Sequence, residues 1–168
     1  AYSGAVDVTY DQQEDGRWRE VKRQLVCNRQ VVGADLLYGN PIQGIVVAHR
    51  RELFERVGGM DESLRVLIDW DLWRRICSLT YPYHIGRPTA DRTLRGFRRT
   101  TGAGHLTSLH KTDPALYAYQ RLRILRKPLP APPDSPLHAK AAAFKRRGRQ
   151  DFLVALAERD ERRGRVHH

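Results

Sequence analysis

Cysteine is scarce in this chain: among 168 residues there are two, Cys27 and Cys77, which lie far apart and without a CxxC spacing. Structural zinc sites and disulfide frameworks require several cysteines at characteristic spacings, so the sequence argues against both. We expect two reduced, partly buried thiols, which is compatible with a cytoplasmic protein.

Long hydrophobic runs are also missing. The runs GIVVA at residues 44–48 and FLVALA at residues 152–157 are short, whereas a membrane-spanning helix needs about 18 consecutive apolar residues or more. We therefore expect a cytoplasmic protein, at most peripheral to the inner face of a membrane. The sequence opens without Met on what looks like the middle of a strand, so we also expect a piece of a longer protein.

Acidic residues are few in the second half of the chain, and the formal net charge is +11. Acidic and basic residues nearly balance over residues 1–91, whereas Lys and Arg greatly outnumber Asp and Glu over residues 92–168. Such asymmetry indicates a phosphate-bearing partner, namely nucleic acid, an anionic membrane surface or a diphosphate ligand. Charge alone does not choose among these three.

The residue patterns predict a mixed α/β protein. Alternating apolar residues indicate strands, and helical periodicity with capping residues indicates helices. In chain order we expect strands at 2–10, 17–26 and 42–49, helices at 50–57, 69–79 and 113–127, a proline-rich linker at 128–136, and a helix-prone tail at 137–168 that is interrupted at Gly148.

Acids are concentrated in one short stretch, GGMDESLRVLIDWDLWRR at residues 58–75. Its four acids are Asp61, Glu62, Asp69 and Asp71. An Asp at a helix start can simply accept hydrogen bonds from free backbone N–H groups, and Asp71 can pair with Arg74 or Arg75 one turn on. Alternatively, Asp69 is a base aimed out of the helix start, or the Asp-x-Asp pair binds a divalent metal. The residues alone leave these alternatives open.

The longer segment HRRELFERVGGMDESLRVLIDWDLWRRI closely resembles the family 2 glycosyltransferases. Their signature runs from an Arg-bearing strand end through a short helix to Gly-Gly-Phe-Asp-Glu, and then to an acidic pair followed by Trp-Asp-Leu-Trp. The flanking segments AYSGAVDV and PYHIGRPTADRTLRGFRRTTGAGHLTS also resemble the family, so the similar region covers residues 1–110. The resemblance implies a GT-A fold and inverting transfer from a nucleotide-sugar to an acceptor hydroxyl.

The resemblance assigns roles to the acidic stretch. It makes Asp69 the general base that deprotonates the acceptor hydroxyl, and it places Asp61 and Glu62 in the acceptor-binding loop. Trp70 would form a wall of the acceptor pocket, whereas Trp73 is expected in the core. The sequence departs from the family where Ile68 replaces the first member of the acidic pair and Met60 replaces the usual Phe.

The resemblance also concerns the donor side. Arg95, Arg98 and Arg99 would bind the donor diphosphate, although from the residues alone they equally suit a solvated strand face. His105 would be a ligand of the divalent metal, Mg or Mn. The family's donor-binding half, with the main metal ligands, is expected on the N-terminal side of Ala1. We therefore expect an enzyme fragment that is inactive by itself.

We expect four segments. The resemblance gives an acceptor-side half at 1–110, and composition gives a basic helix at 111–127, a linker at 128–136 and a basic helical tail at 137–168. The partners implied are a nucleotide-sugar and a glycan or lipid-linked acceptor, with the basic helix and tail resting on an anionic membrane. The rival hypotheses are a nucleic-acid-binding module and an inactive scaffold fragment. No sequence motif for specific nucleic-acid recognition is present, so specific nucleic-acid binding is not expected.

Overall fold

The computed structural model describes residues 1–95 and 112–165, without the side chains of residues 95 and 162–165. The described residues form a mixed α/β architecture with one three-stranded sheet and four α-helices. In chain order the elements are β1 (Tyr2–Gln12), β2 (Trp18–Val26), α1 (Arg51–Arg56), α2 (Ile68–Ile76), β3 (His84–Arg95), α3 (Pro114–Arg126) and α4 (Leu137–Arg165).

The sheet has the strand order β2-β1-β3. The strands predicted at 2–10 and 17–26 are confirmed as β1 and β2, which pair antiparallel as a hairpin, and Gly16 in the connecting turn has φ 81. β3 pairs with β1 in parallel. The first half of β1 is buried, with Tyr2 and Val8 each 1% exposed, whereas β2 is exposed along nearly its whole length. The sheet therefore contributes to the core mainly through β1.

The strand predicted over residues 42–49 is wrong. Residues Gly44–Val46 form a 3-10 helix, and the segment meets the sheet only through an isolated antiparallel bridge between Tyr2 and Val47. A strand buried in the middle of a sheet needs neighbours on both sides. Among the described residues the backbone of this segment pairs only with Ala1 and Tyr2, and Ala48 N donates to the carbonyl of Ala1.

The two helices predicted before and within the acidic stretch are confirmed as α1 and α2. α1 is followed by Gly58 and Gly59, whose φ values of 80 and 70 let the chain turn away at little cost because glycine lacks a Cβ. α2 begins after Leu67, which adopts a left-handed conformation, and it buries an apolar stripe against the rest of the core. The members of that stripe are Trp70, Leu72, Trp73 and Ile76.

α3 begins as its sequence predicts, with Pro114 in the first turn and Leu116 N donating to the Asp113 carboxylate at 3.0 Å. The interruption predicted at Gly148 is wrong, since α4 is helical from Leu137 to Arg165. A Cβ at Gly148 would lie 2.4 Å from Leu125 Cδ1 of α3. Glycine therefore serves close packing of the two helices at this point rather than a break.

The largest core cluster joins these elements, and its members come from β1, α2, α3 and the loops between them. They include Tyr2, Val31, Leu36, Trp70, Leu72, Ile124 and Leu125, all close to fully buried. No helix in the described ranges is both long and apolar enough to cross a membrane.

Candidate functional site

Asp69 lies at the beginning of α2 and is partly exposed. One of its carboxylate oxygens accepts a hydrogen bond from Trp70 N at 2.8 Å, and the other accepts from Asn40 Nδ2 at 2.9 Å. The Cβ that Gly44 lacks would stand 3.8 Å from the second oxygen, so the backbone at Gly44 comes close to the carboxylate. Two hydrogen bonds therefore orient the carboxylate while part of it stays accessible.

Asn40 was not singled out from the sequence, where it reads as part of a Gly-Asn-Pro turn. Its side-chain oxygen accepts from Ile42 N at 3.2 Å, which is a local turn contact that Asn favours. The same amide reaches Asp69, although the two residues are far apart in sequence. The turn contact was predictable from residue type, but the contact with Asp69 depends on the tertiary fold.

Asp71 has a different environment from Asp69, since it is 0% exposed. Its Oδ2 accepts hydrogen bonds from Arg75 Nε and Nη2 at 3.0 and 2.7 Å and lies 2.8 Å from Lys127 Nζ. The interpretation that pairs Asp71 with an arginine one turn on is therefore confirmed for Arg75. Two cations bind this carboxylate, which joins α2 to the end of α3.

The loop that follows α1 is held by the same lysine. Asp61 Oδ2 lies 2.6 Å from Lys127 Nζ, and Asp61 Oδ1 accepts from Ser63 N at 2.9 Å. The Lys127 ammonium, followed by the Ser63 hydroxyl, holds the pKa of Asp61 well below its usual range. Arg123 of α3 also donates to the Ser63 carbonyl at 3.0 Å. The Asp61 carboxylate is thus ionised and fixed.

An open cavity of about 540 Å³ lies beside this loop. Its lining contains groups of both charges together with backbone amides, and Arg75 donates from within it to the Gly59 carbonyl at 2.8 Å. Such a mixed lining suits a ligand with several hydroxyl groups. The lining residues are Gly58, Gly59, Met60, Asp61, Glu62, Ser63, Arg75 and Lys127.

Trp70 does not line an open pocket, and the acceptor-wall interpretation is corrected here. Its side chain is 1% exposed, and the indole Nε1 donates to the Leu36 carbonyl at 2.7 Å. Trp73, at 6% exposure, lies in the core as expected. Both tryptophans fall on the apolar stripe of α2, and that periodicity favours burial for each of them.

Arg74 is buried, which its sequence position did not predict. Its side chain is 2% exposed, and none of its three guanidinium nitrogens has a hydrogen-bond partner in the described parts of the chain. Burial lowers the pKa of Arg74 to about 10. Oδ1 of Asp71, one turn before it, is buried and unpartnered as well. Nothing in the sequence distinguishes Arg74 from its neighbour Arg75, which is fully engaged.

A second cavity, of about 550 Å³, lies where the segment around Val47 meets the start of β1. Its lining is rich in aromatic rings, including Trp73 and the highly exposed Tyr81 and Tyr83. His49, also in the lining, stacks on the Phe54 ring with centroids 5.6 Å apart. Sequence reasoning missed this cavity because it assigned residues 42–49 to a strand.

The expected donor-side residues are only partly covered. Arg98, Arg99 and His105 lie outside the described residues, and Arg95 ends β3 with its side chain outside them too. Within residues 1–95 and 112–165, no group of three or more His, Cys, Asp or Glu side chains is arranged to hold a metal ion. Comparisons with protein-family models, curated proteins and solved structures found no match to this chain.

Proposed function

We propose that this chain is the acceptor-side half of an inverting family 2 glycosyltransferase with a GT-A fold, and that Asp69 is its general base. The observation that carries the proposal is the contrast between Asp69 and Asp71. Asp71 is buried and bound by two cations, whereas Asp69 keeps an accessible carboxylate that is oriented by Asn40. A base must be both oriented and accessible to the proton that it takes.

In the reaction that we propose, the Asp69 carboxylate accepts the proton of an acceptor hydroxyl. The hydroxyl oxygen then forms a bond to the anomeric carbon of the donor sugar as the bond from that carbon to the nucleotide diphosphate breaks. The diphosphate leaves with the bonding electrons, and the configuration at the anomeric carbon inverts. Asn40 would keep one carboxylate oxygen oriented during this step.

Asp61 and Glu62 are the residues that we propose for acceptor binding. Both line the open cavity beside the loop after α1. Because Lys127 keeps Asp61 ionised, this carboxylate can accept a hydrogen bond from a sugar hydroxyl. Trp70 is not retained in the acceptor site because its ring is buried.

The donor side of the proposal rests on the resemblance. Arg95, Arg98 and Arg99 would bind the diphosphate through paired N–H groups, which match phosphate oxygens. A divalent Mg or Mn ion would neutralise charge on the leaving diphosphate, with His105 as a ligand. The described residues contain no ligand set for that ion. In the proposed reaction the proton is therefore taken by a side chain of this chain, Asp69.

The test is a transfer assay on the full-length gene product that contains this chain. A panel of labelled nucleotide-sugars is offered with candidate acceptors, and the variant Asp69→Asn is compared with the unmodified protein. We expect kcat to fall about 10²- to 10⁴-fold, the usual contribution of a general base. Asp11→Asn near the end of β1, on a partly exposed side chain outside the candidate site, is the control and should leave kcat unchanged.

Two results would contradict the proposal. Equal kcat in the Asp69→Asn variant and the unmodified protein would remove Asp69 as the base. If the full-length protein transferred no sugar from any common nucleotide-sugar, the glycosyltransferase assignment itself would be wrong. A binding function for the basic tail would then be the better account of the charge of +11.

A further inference from the structure

α4 has one face that no other described element covers. The residues of this outward face follow one another at steps of three and four, the spacing of a single helix face, and all are exposed. They are Ala139, Ala143, Arg146, Gln150, Leu153 and Ala157. The opposite face contains Ala141 and Gly148, both buried, and packs against α3 and the loop around Leu37.

The outward face combines cations with apolar side chains. Arg146 lies at its centre, with Lys140 and Arg149 exposed at its edges. Leu153 and the adjacent Val154 are 55% and 59% exposed, so two large apolar side chains lie next to each other in solvent. Small alanines fill the remaining positions. The face is therefore positively charged and locally apolar at the same time.

Between positions 137 and 157 the outward face itself contains no acidic residue. Asp151 is the one acidic residue between positions 137 and 157. Its carboxylate accepts from the Tyr38 hydroxyl and lies 3.4 Å from Arg121 Nη1 of α3. Asp151 thus belongs to the packed side of α4. Its carboxylate is not on the outward face beside the exposed cations.

Two of the three basic residues of α3, Arg121 and Arg123, are by contrast engaged within the chain. The Arg121 guanidinium lies over the Tyr38 ring, 4.3 Å from its centroid. Arg123 donates to the carbonyl and the hydroxyl of Ser63 at 3.0 and 2.7 Å. The sequence predicts that both helices rest on an anionic surface; these contacts leave Arg126 as the exposed cation of α3, so α4 offers the larger basic face.

We propose that the outward face of α4 docks on an anionic lipid bilayer. Phosphate-bearing headgroups attract the cations, each changing the affinity by about fivefold. Leu153, Val154 and the alanines can enter the headgroup boundary, where apolar side chains are accommodated next to Lys and Arg. This proposal stands independently of glycosyl transfer, because it rests on residues that play no part in the candidate site.

A nucleic acid would use different groups. Single strands are bound by aromatic platforms beside basic residues, yet the aromatic rings of α4 face inward. Phe144 stacks on Tyr38 with ring centroids 5.0 Å apart, and Phe152 lies 5.6 Å from Tyr119. A phosphate backbone would also give no reason for exposing Leu153 and Val154. The observations therefore favour lipid over nucleic acid.

Vesicle flotation of the purified 168-residue chain tests the proposal. The probes are vesicles of phosphatidylcholine alone and vesicles with about 40% phosphatidylglycerol, at physiological salt. We expect binding to the anionic vesicles only, and a loss of about 25-fold in the double variant Arg146→Gln/Arg149→Gln, from about fivefold for each charge. The control Arg17→Gln/Arg19→Gln removes two exposed charges from the hairpin and should cost threefold or less.

A second double variant separates lipid from nucleic acid. Leu153→Ser/Val154→Ser keeps every charge, so we expect weaker vesicle binding with no change in binding to a single-stranded RNA oligonucleotide. Three results would overturn the proposal: equal binding to both vesicle types, an equal loss in the hairpin control, or a serine variant that binds anionic vesicles like the unmodified chain. The last result, together with tight oligonucleotide binding, would assign the face to nucleic acid instead.

Discussion

A buried carboxylate requires compensating charge, and Asp71 receives it from Arg75 on its own helix and from Lys127 at the end of α3. Lys127 also binds Asp61, so one ammonium group joins the loop after α1, the helix α2 and the helix α3. Breaking a buried pair by removing one partner leaves an uncompensated charge. Lys127 is thus a contact shared by all three segments, beside the hydrogen bonds that Arg75 and Arg123 make to the loop.

We predict that Lys127→Met lowers the free energy of unfolding by about 1.5–3 kcal/mol, the usual contribution of a hydrogen bond to a charged group, because Asp71 keeps Arg75 but loses its second cation. Urea denaturation of the purified chain is the measurement. Lys140→Met removes a lysine from the exposed face of α4 and should change the free energy of unfolding by less than about 0.5 kcal/mol. Equal effects of the two substitutions would mean that the Lys127 contacts contribute nothing specific.

The pH dependence gives an independent control on the same lysine. The pKa of Asp61 is lowered in the folded protein, so its contribution to stability is present at neutral pH. That contribution is lost as the pH falls below about 3.9, the value of an unfolded Asp, toward the folded pKa. Lys127→Met removes the main cause of the shift. The variant should therefore lose less stability than the unmodified chain between pH 6 and pH 3.

Arg74 is predicted to behave in the opposite way to its neighbour Arg75. Its guanidinium is buried without a partner in the described residues, so replacing it by an apolar side chain of similar length removes a desolvated charge. We expect Arg74→Met to raise the free energy of unfolding by about 1–3 kcal/mol. Arg75→Met should lower it, because Asp71 and the Gly59 carbonyl would lose their hydrogen bonds. Destabilisation by Arg74→Met would show that the guanidinium is satisfied in solution.

At the scale of the elements, local signals were sufficient wherever they were strong. The turn before β2, the Asp113-Pro114 start of α3 and the glycines after α1 each specify a boundary through backbone chemistry. The strand prediction for residues 42–49 was wrong because an apolar run predicts burial but does not say which element covers it. In the structure this segment meets the sheet only through the isolated bridge between Tyr2 and Val47. The helix break predicted at Gly148 was wrong because a glycine in a helix marks either a break or a close packing contact. The short distance from a Cβ at position 148 to Leu125 Cδ1 shows that it is a packing contact.

That close contact carries its own prediction. Because a Cβ at position 148 would already press on Leu125 Cδ1, we expect Gly148→Leu to overpack the junction of α3 and α4. Overpacking of a filled core costs about 1–3 kcal/mol, measurable as a lower midpoint in urea. Ala143→Leu adds a leucine to the exposed face of the same helix and should be nearly neutral. If both variants had the same stability, the two helices would not pack closely at Gly148.

At the scale of the whole molecule, the sequence grouped the acidic residues and the resemblance gave them roles, but neither showed their tertiary partners. The acidic stretch and the pairing of Asp71 with Arg75 follow from helical spacing. Asn40, Lys127 and Arg123 could not be foreseen, because each reaches the site from a distant segment. Trp70 was misjudged because a flat ring suits a sugar as well as a core, and only its 1% exposure separates the two.

The last prediction concerns what the chain can do by itself. The proposed base and acceptor cavity would not make a transferase by themselves, because the nucleotide-sugar also needs a site, which the resemblance implies on the N-terminal side of Ala1. We predict that the purified 168-residue chain transfers no sugar from labelled nucleotide-sugars, with either Mg or Mn present. Transfer that disappears in Asp69→Asn would keep the base but refute the half-site proposal. Transfer that survives the substitution would refute both, since the chain would then hold a complete site built on other residues.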